Sequence, residues 1–432
     1  MPRPHRSTRA AQAIPGLPAR RAALRLLDAV LRRGEPLEIA LHAATQGLPD
    51  RSDRALAHAM AAEALRRLPD LDALIDAATP QRMPDDAKAR MVLRLALTQV
   101  LCLNTAPHAA ISTALPLVDG GPRKLVHGVF GTVTRGEPTL PEPPTLPAEP
   151  AERWAGQWGE TMVAAAAQAY AERPPIDVSL RDAAETEAWA ERLAGISLAP
   201  GHVRLPAGTP VPPLPGFKDG AWWVQDLAAS SPARLLGAGE GRHVLDLCAA
   251  PGGKTMQLAA AGWQVTSIDQ SAKRLKRLEE NLARTGLTAT MVAADLRQWA
   301  PEAPADAVLL DAPCTATGIY RRHPDVLHRI GARQIAELAE LQTELLDRAA
   351  DWVKPGGTLV YATCSLEQAE GEEQMAAFLA RHPDYRSAPA EPGELPVGIE
   401  PTADGWVRTL PATLSEEGGV DGFFIARLVR SQ

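Results

Sequence analysis

The chain of 432 residues has few cysteines, few aromatic residues and no long apolar run. Four cysteines are present, without a Cys-x-x-Cys pair or a His/Cys cluster at the spacing of zinc ligands. They are Cys102, Cys248, Cys314 and Cys364. This spacing argues against a disulfide framework and against a metal site. Each cysteine is therefore either a small buried residue or a reactive thiol, and its sequence context must decide between the two.

The lack of long apolar runs argues against an integral membrane protein, because a spanning helix needs about 20 consecutive apolar residues. Residues 1–18 contain Arg3, Arg6 and Arg9, but no apolar stretch of signal-peptide length follows them. We expect a disordered basic arm at 1–18 and a soluble, cytoplasmic chain. The composition, with 45% hydrophobic and 22% charged residues, is that of a globular protein.

The formal net charge of −7 is unevenly distributed along the chain. Residues 1–140 contain 19 Lys and Arg against 13 Asp and Glu, a formal +6, whereas the remainder contains 26 against 39, a formal −13. A basic first part is compatible with binding of a polyanion, and an acidic second part with catalysis. The alternative is a solvated basic surface without a nucleic-acid partner.

The first half of the chain divides into three segments. Residues 19–136 are rich in Ala, Leu and Arg, with apolar residues at steps of three and four, which predicts an all-α bundle with its central helix at 91–103. The prolines that follow predict an extended linker over 137–152. Residues 153–225, with a helix expected at 154–172 and short strands after it, are assigned to a small α/β connecting subdomain.

Residues 226–432 alternate short apolar strands with amphipathic helices, the pattern of a doubly wound, mainly parallel sheet. Strands are expected at 244–248, 265–269, 289–294, 307–310, 358–363 and 423–429. The predicted fold class is α/β, with a Rossmann-like domain preceded by an all-α bundle and the connecting subdomain.

The ends of these strands carry the candidate cofactor site, because ligands of open sheets bind beyond the carboxyl ends of the strands. The loop at 246–255 has small residues that let a backbone approach a ligand closely. Asp269, Asp295 and Asp311 end the next three strands, where Asp269 suits ribose hydroxyls and Asp295 an adenine amino group. The expected cofactor-binding residues are Cys248, Ala249, Ala250, Pro251, Gly252, Gly253, Lys254, Asp269, Asp295 and Asp311.

Four carboxylates at strand ends, those of Asp246, Asp269, Asp295 and Asp311, suit a neutral nucleoside that carries a sulfonium better than a pyrophosphate, which they would repel. The G-x-G-x-x-G loop of dinucleotide binders is also absent, which argues against a nicotinamide-dependent dehydrogenase. The alternative for each aspartate is that it only caps the helix that follows.

Two cysteines, Cys314 and Cys364, lie at strand ends on the same predicted edge of the sheet. Carbon 5 of cytosine is a poor nucleophile, so its methylation requires a thiolate to add first at carbon 6. A second group must then help to remove the proton from carbon 5 and release the enzyme. One cysteine in each role would account for the presence of two, whereas a single cysteine at a strand end is more often structural.

Three motifs resemble those of the RNA cytosine-C5 methyltransferases, namely 246–255, 311–318 and 361–365. The resemblance extends to 224–226, 321–325 and 421–424. The bundle resembles a transcription-antitermination RNA-binding module, NusB-like, which is typical of bacterial 16S rRNA methyltransferases of the Sun/Fmu type. It departs from that family at 126–130, where an Asn-containing segment is usual, and at 367–370.

The resemblance implies that Cys364 is the nucleophile, that Cys314 assists release of the methylated base, and that Asp311 lies near the base. It also implies S-adenosylmethionine as cofactor and RNA, most of all 16S rRNA, as partner. We expect no metal and favour a monomer. A tRNA cytosine-C5 methyltransferase and a non-catalytic RNA-binding factor remain alternatives, and a DNA-type enzyme would use Cys314 as its nucleophile.

The basic residues after Cys314 are candidate RNA contacts. Arg321, Arg322 and His323 could hold the RNA backbone near a flipped nucleotide. The alternative is a solvated turn. Trp222 and Trp223 could stack on a base, although tryptophans at such a junction more often belong to the core.

Overall fold

The computed structural model describes residues 14–432. These residues form two compact units, one made of 14–147 together with 323–329, the other of 148–322 and 330–432. The predicted basic arm lies outside the described residues except for 14–18, and the first helix already begins at Leu17. The sequence did not predict that 323–329 would join the first unit.

The first unit is helical, as predicted. Its helices are α1 (Leu17–Arg33), α2 (Leu37–Ala44), α3 (Arg51–Arg66), α4 (Leu68–Ala77), α5 (Lys88–Leu101), α6 (Pro107–Ala114) and α7 (Gly121–Arg135). Helix α1 shows why the sequence folds this way, because Ala23, Leu27 and Val30 recur at helical spacing and are buried. It ends where Gly34 adopts a left-handed conformation (φ 66°) and donates its N–H to the carbonyl of Val30.

Helix α5 is the predicted central helix, and it buries two arginines that the apolar pattern had hidden. Arg90 and Arg94 are buried in this helix. The guanidinium of Arg94 pairs with Asp72 of α4 (Nη2 to Oδ2, 2.7 Å), and Arg90 pairs with Asp72 and Asp76. A buried cation is tolerated only when such partners replace water, so these ion pairs join α4 to α5.

The second unit combines helices and strands. Its helices are α8 (Ala148–Trp158), α9 (Glu160–Ala171), α10 (Thr186–Arg192), α11 (Leu227–Arg234), α12 (Gly253–Ala260), α13 (Ala272–Thr285), α15 (Ala332–Asp351) and α16 (Glu372–Arg381), while α14 (Val326–Arg329) belongs to the helical unit. Its strands are β1 (Ile176–Leu180), β2 (His202–Leu205), β3 (Trp222–Val224), β4 (His243–Leu247), β5 (Gln264–Asp269), β6 (Thr290–Ala293), β7 (Ala305–Asp311), β8 (Val353–Thr363), β9 (Tyr385–Ser387), β10 (Val407–Thr409) and β11 (Phe423–Arg430).

The prediction of one helix at 154–172 is wrong. Two helices, α8 and α9, cover this stretch, and Gly159 separates them with φ 84° and ψ 166°. This conformation is open to glycine and breaks the helix. The predicted linker is also shorter than expected, because α8 begins at Ala148.

The strands form two sheets. The smaller is antiparallel, with the order β2-β1-β3, and it lies in the segment predicted as the connecting subdomain. The larger has eight strands in the order β10-β11-β8-β7-β4-β5-β6, with β9 paired to β11. Strands β4 to β8 run parallel, whereas β11 runs antiparallel to β8. The predicted mainly parallel, doubly wound sheet is confirmed.

Helices cover both faces of the large sheet. Alternate residues of β7, such as Val308 and Leu310, pack in one core with residues of α15 and α16. Their neighbours Ala307 and Leu309 pack in a second core with residues of α11. Because both faces are buried, the strands read as continuous apolar runs, which is why the sequence revealed them.

Two features are absent from residues 14–432. None of the helices is long and apolar enough to cross a membrane. In the same part of the chain, no group of three or more His, Cys, Asp and Glu side chains is arranged to hold a metal ion.

Candidate functional site

The loop between β4 and α12 lies where the strand order reverses, with β5 on one side of β4 and β7 on the other. Ligands of open α/β sheets bind at such points. The backbone here requires glycine, because Gly252 has φ 106° and a Cβ on it would lie 2.8 Å from Cγ of Leu278. Helix α12 then begins at Gly253, and its first turn leaves backbone N–H groups without helical partners.

Asp269, at the end of β5, fixes this loop. It is buried, and its Oδ2 accepts the N–H of Ala250 at 3.2 Å. Its Oδ1 accepts the N–H of Ser271 at 2.8 Å, just before α13, and Arg274 lies 3.3 Å from Oδ2. The aspartate therefore holds both the loop between β4 and α12 and the turn that leads into α13. The N-cap of α13 is Ser271, so the capping alternative considered from the sequence does not hold for Asp269.

Asp295 follows β6 in a similar way. It accepts the N–H of Arg297 at 3.0 Å and pairs with the guanidinium of the same residue. This arginine lowers the pKa of Asp295, first by its side-chain hydrogen bond and then by its backbone N–H. The carboxylate is thus held in its charged form at the edge of the site.

Asp246, within β4, is fully buried beneath the loop. One of its oxygens accepts a hydrogen bond from Thr255, and the other, Oδ1, has no hydrogen-bond partner among the described residues. Burial raises the pKa of Asp246 to about 7, mainly because a charged carboxylate is costly away from water. An acceptor of this kind suits a ligand that brings a donor.

Asp311 and Lys254 form an ion pair between the cofactor loop and the end of β7, with Nζ 2.8 Å from Oδ2. Burial acts to lower the pKa of Lys254, but the charge of Asp311, the hydrogen bond to it and the neighbouring Cys364 raise it above its usual value. Lys254 therefore remains an ammonium ion, a cation at the edge of the sheet where the two cysteines lie.

Cys314 and Cys364 lie together, as predicted, with their sulfur atoms 3.4 Å apart. They follow the adjacent parallel strands β7 and β8. The two loops are tied by the N–H of Gly318, which donates to the carbonyl of Cys364 at 3.0 Å. The hydrogen bond with Cys364, followed by burial, raises the pKa of Cys314 well above its ordinary value.

The other two cysteines are poorly suited to act as nucleophiles. Burial raises the pKa of Cys248, in the cofactor loop, so that it stays a thiol. Burial likewise raises the pKa of Cys102 to about 12. A thiolate is the reactive form, so neither of these two cysteines is a good candidate nucleophile.

A cavity of about 440 Å³ joins these elements. Its apolar lining includes Leu296, Pro313, Leu341 and Leu345. Its polar lining includes Asp311, Cys248, Cys314, Cys364 and the ion pairs Asp269–Arg274 and Asp295–Arg297. The volume lies in the usual range of ligand pockets, about 300–1,000 Å³. Carboxylates and thiols beside an apolar wall fit a nucleoside that carries a positive charge, so the residues present fit S-adenosylmethionine.

The rest of the predicted cofactor loop lines a second cavity of about 390 Å³. It is lined by Ala249, Ala250, Pro251, Gly253 and Lys254, together with Asp246 and Asp311. Asp311 borders both cavities. Of the predicted loop residues, Gly252 lines neither, and its part is to allow the turn.

Known proteins resemble this chain over almost its whole length. Residues 233–429 match the family described as 16S rRNA methyltransferase RsmB/F, and residues 17–135 match the NusB family. The ribosomal RNA small subunit methyltransferase B of Klebsiella pneumoniae is 34% identical over 95% of this chain and 98% of that protein. The protein of the same name from Salmonella arizonae is also 34% identical, with the same coverage.

The chain belongs to the RsmB/F family of 16S rRNA methyltransferases.

Solved structures support the RsmB/F fold. The crystal structure of PH0851 aligns with a TM-score of 0.72 and 24% identity, over 96% of this chain and 99% of its own. A methyltransferase homolog protein from Pyrococcus horikoshii aligns with a TM-score of 0.54 and 26% identity, over 65% of this chain and 93% of its own. Membership of the RsmB/F family confirms the predicted fold class, the enzyme class and the cofactor, S-adenosylmethionine.

The predicted RNA contacts are placed differently in this RsmB/F chain. Arg321 is 3% exposed and pairs with Asp421, while Arg322 pairs with both Asp226 and Asp421. Both guanidinium groups form ion pairs within the second unit, which argues against a role for these arginines as phosphate contacts. His323 belongs to the helical unit, and its contact with RNA stays a prediction. Trp222 and Trp223 are buried and belong to the core.

One residue was missed by the sequence analysis. Glu370 is fully buried and accepts hydrogen bonds from Thr315 and Ser365, the residues that follow the two cysteines. The stretch 367–370 had been noted only as a departure from the family pattern. The signal available in the sequence was an acidic residue six positions after Cys364, which by itself does not indicate burial.

Proposed function

We propose that this chain methylates carbon 5 of a cytosine in 16S rRNA through a covalent bond between Cys364 and carbon 6 of the base. The observation that carries the proposal is the pair of sulfur atoms 3.4 Å apart beside the cavity that fits the cofactor. S-adenosylmethionine supplies the methyl group at its sulfonium. The family supports ribosomal RNA as the substrate.

The residues divide the reaction between them. Addition of the Cys364 thiolate to carbon 6 makes carbon 5 nucleophilic, so that it can accept a methyl group. Cys314 then assists removal of the proton from carbon 5, which leaves to solvent, and the bond between Cys364 and carbon 6 breaks to restore the ring and the thiolate. Lys254 places a positive charge near Cys364. Asp311 holds Lys254 in place.

Bisulfite sequencing of total RNA tests the function. We expect one cytosine of 16S rRNA to lose its resistance to bisulfite in a strain that lacks the gene. The intact gene should restore it, and a gene encoding Cys364→Ala should not. Loss of a tRNA position instead would favour the tRNA methyltransferase, and no lost position would favour the non-catalytic RNA-binding factor.

We further propose that the chain acts in the cytoplasm as a monomer. Both cysteines and the two cavities are formed by residues of a single chain, which supports a site that is complete without a second copy.

A further inference from the structure

Helix α7 presents one apolar face to the helical unit and one basic face to solvent. The buried residues are Val126, Val129, Phe130 and Val133. The exposed basic residues are Arg123, Lys124, His127 and Arg135. No acidic residue occurs between positions 120 and 136. The charged residues on the exposed side of α7 are therefore all basic.

The neighbouring charges do not neutralise this face. No described residue forms an ion pair with Arg123, Lys124 or Arg135, whereas Arg90 and Arg94 of the same unit are paired. Asp72 and Asp76, on the adjacent α4, are engaged by Arg90 and Arg94 of α5. Gly128 on the same helix has no side chain, and nothing lies within 4 Å of the place where its Cβ would be, so this part of the helix surface is open.

We propose that this face of α7 binds the phosphate backbone of the RNA substrate. The inference rests on the proposed function and names the surface that holds its substrate. Arg123 and Arg135 are twelve residues apart, which on a helix corresponds to about 18 Å, so the face can follow several successive phosphates. A polyanion complements the charge of this face, and contacts between basic side chains and phosphates do not depend on base sequence.

Substitution of the basic face tests this surface in the full-length chain. The triple variant Arg123→Ala, Lys124→Ala, Arg135→Ala should bind 16S rRNA fragments more weakly and flatten the plot of log affinity against log salt by about 2 to 3 units, because each phosphate contact contributes about 0.7 to 0.9. A matched triple variant, Arg32→Ala, Arg33→Ala, Arg82→Ala, removes the same charge from ion-paired positions and should change the slope by less than one unit.

Two results would contradict the proposal that α7 binds RNA. One is an unchanged salt slope in the α7 variant, and the other is an equal decrease of the slope in the matched variant. At low salt and saturating RNA the α7 variant should keep its turnover number with a raised KM. If the unaltered chain methylates no RNA, the proposed function fails. The salt slopes still test whether α7 binds RNA, because they measure binding and not methylation.

A second, independent observation concerns Glu370. Its Oε1 accepts the N–H of Thr315 and the amide of Gln342, each at 2.9 Å, and its Oε2 accepts the hydroxyls of Thr315 and Ser365. Thr315 follows Cys314 and Ser365 follows Cys364. One buried carboxylate thus holds the residues next to both cysteines.

The geometry points to Glu370 as a positioning residue that sets the spacing between the two sulfur atoms. Three of its four hydrogen bonds connect the loops after β7 and β8, which no strand pairing reaches, and the fourth ties the carboxylate to Gln342 of α15. Glutamine can keep this arrangement, because hydroxyl groups can turn to accept from its amide. Alanine removes all four bonds.

The spacing can be measured without any methylation assay. Diamide, a diazene, takes two hydrogens from a close pair of thiols, so that it becomes a hydrazine and they become a disulfide. Wild type should lose two of its four thiols. Glu370→Ala should lose them at least about tenfold more slowly, and Glu370→Gln at close to the wild-type rate. If Glu370→Ala does not fold, Glu370→Asp, one methylene shorter, should show the slowing.

A matched control is Glu367→Ala, which removes a carboxylate that is equally buried but bound by Arg153 and Trp154. It should leave the rate of thiol loss unchanged. Rapid oxidation of a folded Glu370→Ala, or equal slowing in the control, would show that the carboxylate does not set the spacing. The assay needs no substrate, so it is independent of the proposed function.

Discussion

Replacing Cys364 by alanine abolishes methyl transfer while leaving the affinity for S-adenosylmethionine within a few-fold of wild type. The thiolate acts on the base and not on the sulfonium, so its loss removes the bond to carbon 6 and leaves most of the cofactor cavity intact. Loss of a covalent nucleophile costs on the order of 10⁴- to 10⁶-fold in rate. Single-turnover transfer of a labelled methyl group to 16S rRNA measures this loss, and calorimetry measures the affinity.

Cys102→Ala is the matched control for this variant. It removes a thiol that lies at the end of α5 in the helical unit, and we expect its turnover to stay within a few-fold of wild type. Substantial turnover by Cys364→Ala would move the nucleophile to another residue.

Replacing Cys314 by alanine should trap the enzyme on its RNA. Cys364 would still add to the ring and the methyl group would still be transferred, but removal of the proton from carbon 5 would lose the assistance of Cys314 and the enzyme would not be released. The trapped complex is held by a carbon–sulfur bond, so it should survive denaturing gel electrophoresis. The raised pKa of Cys314 agrees with this division, because it keeps that sulfur protonated and a poor attacking group at neutral pH.

One denaturing gel of three variants with labelled RNA assigns the two cysteines. Cys314→Ala should show the adduct, whereas Cys364→Ala and the double variant should show none. An adduct that appears with Cys364→Ala and vanishes with Cys314→Ala would mean that Cys314 is the nucleophile, as in the DNA-type enzymes.

The amino-acid sequence predicted the central part of the site because that part depends on local patterns. Parallel strands bring their carboxyl ends to one edge of a sheet, so motifs at the ends of β4, β7 and β8 had to meet once the strands were recognised. This places Cys248 of the cofactor loop, Asp311, Cys314 and Cys364 around one cavity.

Pairings between distant residues could not be predicted in this way. Arg322 meets Asp226 and Asp421, roughly a hundred positions away on either side, and so belongs to an internal ion-pair network. Read alone, the run at 321–323 looked like a basic patch. The charges were visible in the sequence, but their partners were not.

The sequence alone determined the helical front part, the doubly wound sheet, the cofactor loop and the two cysteines, because periodicity and motif spacing are local properties of a chain. Only the tertiary structure decided that 323–329 packs in the helical unit, where Asp325 accepts the N–H of Leu37 and His328 bonds the carbonyl of Leu65. It alone also placed Glu370 between the two cysteine loops. Burial and the choice of a distant partner depend on how the whole chain folds, and no local pattern carries that information.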